Sequence, residues 1–237
     1  MKLTLKQIVP QTPEAASFVF VPDEFPSFLP GQHISLRLIH HKPDYRGTVR
    51  QFTVSSSPTE KGILTVTTKK GVSSFKQALF SLTPGAVVEA RGPGGQFLFE
   101  SGSTGHHLMI AGGIGVTPFR SMVKYWLDQK LTDPITLIYS NRSEAEVVFR
   151  QELDSWVASR SKLTVVYTLT QPPTEPGWAG YRGRINEELI KTSLPAWRKA
   201  TCYICGPPVM VSAMAALLSG MGINQEKIRL ERFVGYK

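Results

Sequence analysis

Cysteine is nearly missing: Cys202 and Cys205 are the only two among 237 residues. Two thiols cannot build a disulfide framework, and a protein-held iron-sulfur cluster or four-thiolate zinc site needs more ligands than these. The adjacent histidines His40-His41 and His106-His107 lack a second ligand pair at metal-binding spacing, so no metal is expected. No apolar run approaches the roughly 18 residues needed to cross a bilayer. Pro10 and Pro13 interrupt MKLTLKQIVPQTPE where a secretory signal would be continuously apolar. The chain therefore reads as soluble and cytoplasmic, without stable membrane insertion. A basic tail is missing as well: the net charge of +9 divides almost evenly between residues 1–100 and the remainder. Nucleic-acid binders concentrate such charge on a face or an arm. Spread charge fits a phosphate-bearing ligand or an acidic protein, and no nucleic acid is expected.

What is present changes character near the middle. Six short β-rich segments fill the first hundred residues: LTLKQIV, ASFVFV, QHISLRLI, TVRQFTVS, ILTVTTK and AVVEARG. Turn signals separate them, which predicts an antiparallel barrel or sandwich. One helical pattern, SSFKQALFSL, interrupts the series at 73–82. After about residue 104 strand and helix alternate: HLMIA, then TPFRSMVKYWLDQ with Phe119, Met122, Val123 and Trp126 on one face; ITLIYS, then EAEVVFRQELDSWV; LTVVYTL, then INEELIKT; CYIC, then PVMVSAMAALLSGMG; finally KIRLERF. That pattern predicts a parallel sheet of five strands covered by helices on both faces. The boundary is expected in FESGSTGHH, where Gly102 to Gly105 form a linker, giving domains 1–102 and 103–237.

Two turns have the chemistry of anion sites. In IAGGIGVTPFRS, Gly112, Gly113 and Gly115 stand between a strand and a helix, where they can take conformations closed to other residues and let a ligand approach the backbone. Thr117 is placed to cap that helix and Pro118 to occupy its first turn. Free N–H groups at such a helix start attract a diphosphate. Pro118 stands where the dinucleotide fingerprint has its third glycine, so this is not the standard Rossmann turn. In KKGVSSFKQAL, Gly71, Ser73 and Ser74 open the helix of the first half. Two turns, one per expected domain, point to two phosphorylated cofactors.

RQFTVSSSP at 50–58 resembles the flavin motif of the ferredoxin-NADP reductase superfamily, Arg-x-aromatic-Ser/Thr on a barrel strand. PGQHISL precedes it, and GVSS, GPGGQF, IAGGIGVTPFRSM, YSNRSEAEVVFRQEL, GRI, YICGPPVM and ERFVGYK follow it in the order of that superfamily, so that the match covers essentially the whole chain. The resemblance implies a six-stranded antiparallel barrel holding FAD, then an α/β domain holding NAD(P)H, with a C-terminal tail returning to the flavin. It places Arg50, Gln51, Phe52, Thr53, Val54 and Ser55 at the flavin: Arg50 on the diphosphate, Phe52 against the ring system, Thr53 at the flavin nitrogen. Core burial is the rival role for Phe52, which shares a strand face with Val54. Gly71, Val72, Ser73 and Ser74 would hold the flavin diphosphate, and two phosphate contacts favour FAD over FMN. Gly112, Gly113, Gly115, Thr117, Pro118, Asn141, Arg142, Glu146, Gly206 and Pro207 would seat the nicotinamide nucleotide. Cys205, Glu231, Thr53 and Phe233 would lie where hydride is transferred, with Tyr236 the rival to Phe233 for covering the flavin. A C-x-x-C redox pair at 202–205 is rejected, because residues three apart in a strand face opposite ways.

Nucleotide choice stays open in the sequence: Arg142, with Arg150 in reserve, suits a 2′-phosphate, and Glu146 suits a ribose hydroxyl. The resemblance implies a reductase that takes hydride from NAD(P)H and passes electrons to a separate acceptor. A ferredoxin- or flavodoxin-type acidic protein suits the charge. The alternatives are a reductase of free flavin, quinone or ferric chelates, and a non-catalytic cofactor-binding subunit of a larger redox complex.

Overall fold

A period of two carries the first hundred residues into six strands, β1 (Lys2–Thr12), β2 (Ala15–Pro22), β3 (His33–Arg37), β4 (Val49–Thr53), β5 (Leu64–Lys69) and β6 (Val87–Gly94). The computed structural model describes residues 1–100, 102, 105–171 and 177–233. The six strands pair antiparallel in the order β4-β3-β6-β1-β2-β5. The two outer strands then meet: Val54 bridges Val66, and the Ser55 N–H donates to the Thr65 carbonyl at 2.8 Å. This closure makes the sheet a barrel and removes its edges. Leu5, Phe18, Phe20, Ile34, Leu64 and Val66 fill it and are at most 1 % exposed. Each such side chain contributes about 1.5–3 kcal/mol by leaving water. Helix α1 (Ser74–Phe80) adds Phe75 and Leu79 to that core.

Inside the barrel wall a row of hydroxyls is mutually satisfied. Ser17 Oγ lies 2.8 Å from Thr67 Oγ1, and Thr67 Oγ1 lies 2.9 Å from Ser55 Oγ. The row spans β2, β5 and the residues just after β4, so it fixes the closure where an unpaired hydroxyl would oppose it.

The second half builds six parallel strands: β7 (His107–Gly112), β8 (Ile135–Asn141), β9 (Leu163–Leu169), β10 (Tyr181–Arg182), β11 (Thr201–Gly206) and β12 (Ile228–Arg232), in the order β10-β9-β8-β7-β11-β12. The sequence pattern gives five; the sixth, β10, is two residues long and too short to carry a period. Helices α2 (Thr117–Asp128), α3 (Arg150–Ser159), α4 (Glu187–Ser193) and α5 (Pro208–Gly220) connect them. Every residue of β7 and β11 is buried, as expected of central strands in a covered parallel sheet. Leu189 and Ile190 of α4 and Val211 and Leu218 of α5 pack on Leu108, Ile110, Cys202 and Ile204.

One expected helix starts late. The pattern at 144–157 reads as continuous, yet Glu144–Glu146 form only a single 3-10 turn and α3 begins at Arg150. Val147 and Val148 are 5 % and 0 % exposed, and Phe149 takes a left-handed φ of 62°. The left-handed φ of Phe149 stops any helix from running through 147–149, so α3 starts only after it.

The chain divides into two compact units, residues 1–99 with 120–129, and residues 100–119 with 130–237. In the first unit Arg120 donates to the Ser55 carbonyl at 3.1 Å and pairs with Glu60, and the Ser121 hydroxyl donates to the Ser56 carbonyl at 2.7 Å.

Candidate functional site

In the barrel unit, β4 and the start of α1 bring the sequence-predicted residues into one neighbourhood. Arg50 is the hub of the 44–49 loop. Its guanidinium donates to the carbonyls of Arg46 at 2.7 Å, Gly47 at 3.0 Å and Val49 at 2.7 Å, and to Asp44 Oδ1 at 2.8 Å. It also lies 5.3 Å from the Phe75 ring centroid. Asp44 in turn offers its N–H to Ser74 Oγ at 2.9 Å, and His40 Nε2 lies 3.0 Å from the same oxygen. Ser74 thus ties the loop carrying Arg50 to the 71–74 turn. Ser73 Oγ accepts the Lys76 N–H at 3.3 Å and caps α1. Val72 is 95 % exposed on the tip of the turn.

The remaining β4 residues separate by face. Gln51 is exposed. Phe52 is 8 % exposed and tilted against Phe75 with centroids 5.8 Å apart, so its ring belongs to the core and is not an open stacking platform. Val54 is wholly buried. Ser55 is spent on the barrel closure, bonding Thr65 and Thr67. Thr53 is 7 % exposed, and among the described residues its hydroxyl has no hydrogen-bond partner.

Sequence reasoning missed the other cations here. Lys76 lies with its side chain along Gly71: a Cβ on Gly71 would stand 2.8 Å from Lys76 Cδ and 3.6 Å from its Nζ. Gly71 has no left-handed φ, so its glycine makes room for Lys76 and serves no special turn. Burial lowers the Lys76 ammonium to about 8, with Arg46 and Lys69 repelling it further. One signal was legible. A lysine in the first turn of a helix opposes the helix dipole, and α1 carries no acid in that turn to offset it. Arg50, tied through Asp44 and Ser74 to the 71–74 turn, and Lys76 along Gly71 give this turn a cationic lining that fits a flavin diphosphate.

In the second unit the strand order reverses direction between β7 and β11, the place where ligands of such sheets bind. The predicted glycines meet there. A Cβ on Gly115 would be 2.4 Å from the Cys205 carbonyl oxygen and 2.7 Å from Gly206 Cα, and one on Gly112 would be 2.2 Å from Met210 Sδ. Of the three glycines in the 112–115 turn, only Gly113, at φ 53°, takes the left-handed conformation that side chains rarely adopt. Gly112 and Gly115 are glycines because two backbones approach. Thr117 is not a cap: it is already helical, and its hydroxyl donates back to the Ile114 carbonyl at 3.1 Å. The helical path begins at Gly113 as a 3-10 turn, which moves the free N–H groups to residues 113–115 and puts Pro118 beyond the first turn. Pro207 caps α5, whose Val209 is 84 % exposed beside Gly206.

Cys205 is fully enclosed, and burial, with Glu231 beside it, pushes its thiol far up, so it stays protonated. Cys202 packs in the α4–α5 core that Cys205 does not share, as strand alternation requires. Glu231 pairs in register with Cys205; it is half-buried, and its carboxyl is pushed up by burial. The Phe233 N–H donates to the Gly206 carbonyl at 3.0 Å, which holds this aromatic at the same end of the sheet. Tyr236 lies outside the described residues.

At the end of β8, Asn141 is 5 % exposed, and neither of its amide atoms has a hydrogen-bond partner among the described residues. Beside it a cavity of about 560 Å³ is lined by Ser143, Glu144, Ala145 and Gln171. Arg142 is exposed and Glu146 half-buried. An orphaned buried amide beside an open cavity fits a bound nucleotide. Arg150 Nε donates to Asp154 at 2.7 Å, and its guanidinium lies 4.0 Å from the Tyr167 centroid and 5.5 Å from that of Trp178; its Nη1 has no hydrogen-bond partner among the described residues and lies 3.8 Å from Glu144 Oε1. No group of three potential metal ligands occurs among the described residues, and none of their helices is long and apolar enough to cross a membrane.

The family model described as an oxidoreductase FAD-binding domain matches residues 2–99, and that of an oxidoreductase NAD-binding domain matches residues 109–216. NADH-cytochrome b5 reductase 1 of Aspergillus terreus is 33% identical over 206 residues, covering 83% of this chain and 68% of that protein. The glycine betaine monooxygenase reductase subunit of Pseudomonas aeruginosa is 26% identical over 233 residues, covering 96% of this chain and 62% of that protein. The chain thus spans about two thirds of the length of these relatives. Among solved structures, the cytochrome b5 reductase domain of Ulva prolifera nitrate reductase superposes with a TM-score of 0.83 at 24% identity, covering 97% of this chain and 96% of that one.

Proposed function

The chain belongs to the FAD- and NAD-binding oxidoreductases of the ferredoxin-NADP reductase family, and on that basis we propose that it oxidises NADH in particular and hands electrons to a separate, acidic redox protein. Bound FAD supplies the conversion of a hydride into single electrons, which no side chain performs. The protein's own residues bind and orient. Arg50 and the 71–74 turn hold the flavin diphosphate; the Thr53 hydroxyl, lacking a protein partner, is kept for the flavin. Backbone N–H groups at 113–115 receive the nucleotide diphosphate at the sheet's switch point.

The NADH reading rests on relatives named as NADH reductases and on Glu144, which stands on the cavity wall with its Oε1 3.8 Å from Arg150 Nη1. A carboxylate there accepts a hydrogen bond from a ribose hydroxyl and repels a 2′-phosphate. The acceptor reading rests on the net charge of +9, which steers an acidic partner toward the protein.

Anaerobic titration tests both. NADH should bleach the flavin absorbance at far lower concentration than NADPH, and an acidic ferredoxin or cytochrome b5 should restore it at a rate that falls steeply with salt. Equal response to both nucleotides would overturn the NADH preference. Reoxidation by free flavin or quinone that is fast and indifferent to salt would place the acceptor among small molecules. A protein that stays colourless with added FAD would leave the non-catalytic subunit.

A further inference from the structure

We infer that Tyr45 and Val72 form the seat of the cofactor's adenosine half, with the tyrosine ring as the platform on which adenine lies. The inference rests on the FAD reading above and adds Tyr45, which no motif of the sequence includes. Tyr45 is 97 % exposed and Val72 95 %, more than any other large hydrophobic side chain among the described residues. Single bare apolar side chains are ordinary on a protein surface. These two, however, stand on separate loops that hydrogen bonds lock together. Ser74 Oγ, two residues after Val72, accepts the N–H of Asp44, the residue before Tyr45, at 2.9 Å, and it lies 3.0 Å from His40 Nε2.

The loop beneath Tyr45 is held from inside. The Asp44 carbonyl accepts the Gly47 N–H at 2.8 Å, and Asp44 Oδ1 accepts the Arg46 N–H at 2.9 Å. Arg50 gathers the carbonyls of Arg46, Gly47 and Val49. None of this serves the barrel core, which takes Leu38 and Phe52 and nothing between them. A backbone fixed in this way presents the Tyr45 ring at little further cost in ordering, which is the condition for a preorganised contact. The Arg46 guanidinium stands 5.7 Å from the ring centroid.

Continuity with the diphosphate seat identifies the occupant. Asp44 bonds both Arg50, at 2.8 Å, and Ser74 of the 71–74 turn, so Tyr45 is one residue removed from the groups that receive the flavin diphosphate. In FAD the group one ribose beyond that diphosphate is adenine, whose flat π-face stacks on an aromatic ring whatever its hydrogen-bonding edge meets. FMN carries no adenosine. It therefore separates this contact from every other that the flavin makes.

The experiment titrates the flavin-free protein with FAD and with FMN by calorimetry. The unaltered chain should bind FAD the more tightly. Tyr45→Ala should lose about tenfold in FAD affinity, as expected for one stacked base, and bind FMN as before. Tyr45→Trp should retain FAD affinity, because its ring restores the platform. Val72→Ser should lose a smaller factor, about threefold, for FAD alone. Tyr45→Ala that binds FAD like the unaltered chain would overturn the inference, and if it is then reoxidised slowly by an acidic redox protein, the exposed ring belongs to partner docking instead. An equal loss for FAD and FMN would overturn it too, since the substitution would then act by loosening the Arg50 loop. So would an unaltered chain that binds FMN as tightly as FAD. An unaltered chain that binds neither flavin would overturn the FAD reading together with it.

Discussion

Replacing Gly115 by alanine probes the close approach on which the nucleotide site depends. Residue 115 has no left-handed φ, so alanine introduces no backbone strain there, and any cost comes from contact alone. The new carbon would stand 2.4 Å from the Cys205 carbonyl oxygen, 2.6 Å from its carbon and 2.7 Å from Gly206 Cα. All three belong to backbone of β11, a fully buried strand, so no rotamer change relieves the overlap. The 113–116 turn or β11 must shift by on the order of 1 Å, and overpacking of this kind costs about 1–3 kcal/mol. With no soft neighbour, the upper end applies. For a chain of this size about 3 kcal/mol lowers the melting temperature by roughly 6–12 °C. Thermal unfolding of the ligand-free protein by circular dichroism measures this directly, and NADH binding should weaken in the same variant. Gly220→Ala is the control: residue 220 ends α5 with open space around it, so it should melt within about 2 °C of the parent, or slightly higher. A Gly115→Ala protein that melts like the control would show that the turn and β11 are not in contact, and the switch-point site would fall with that contact.

Three further outcomes follow from the same structure. Arg50→Ala should leave the fold intact, because the barrel core does not use it. It should nevertheless release FAD on gel filtration, since the guanidinium that organises residues 44–49 is gone; full flavin retention would remove Arg50 from the site. Arg120→Met strands Glu60 in a mostly buried pair and removes a donor from the Ser55 carbonyl. Denaturant unfolding should show a loss of about 3 kcal/mol, and a loss below about 1 kcal/mol would mean the pair is solvated. The third concerns pH. The Lys76 ammonium is lowered to about 8 in the folded chain against about 10.4 when unfolded. Between those values the unfolded chain holds a proton that the folded one has released, so the contribution of Lys76 to ligand-free stability rises with pH. It is complete above about 10.4 and lost as pH falls through about 8. Buried tyrosines and cysteines oppose this trend, so the measured quantity is the unaltered protein minus Lys76→Met. That difference should climb from about pH 8 by at most about 1.4 kcal/mol per unit, and a flat difference refutes the assignment.

Much of the fold was legible because its signals are local. Short β-rich composition between turn signals marks ASFVFV and ILTVTTK as two barrel strands, and the i, i+3, i+4, i+7 spacing of Phe119, Met122, Val123 and Trp126 marks α2, where all four are at most 1 % exposed. Misreadings came where tertiary packing overrides the local pattern. Val147 and Val148 fit a helical period but are buried between a 3-10 turn and α3, and Tyr181–Arg182 pairs as a short strand beside β9. Thr117 has the residue type of a cap yet sits inside a helix already begun at Gly113.

The site divides in the same way. Residue types settled which groups could touch phosphate: glycines at 112–115, Arg50, and serines at 73–74 are chemically apt wherever they fall. Their availability was decided only by folding. Ser55 is consumed by the barrel closure and Phe52 by the core, whereas Asn141 and the Nη1 of Arg150 keep polar atoms without hydrogen-bond partners among the described residues. Lys76 offered only its place in a first turn without acids; where its side chain lies depends on the missing side chain of Gly71. Sequence determines the chemistry a residue can offer; which of it remains for a ligand depends on what distant segments have already taken, and that is settled when the chain packs.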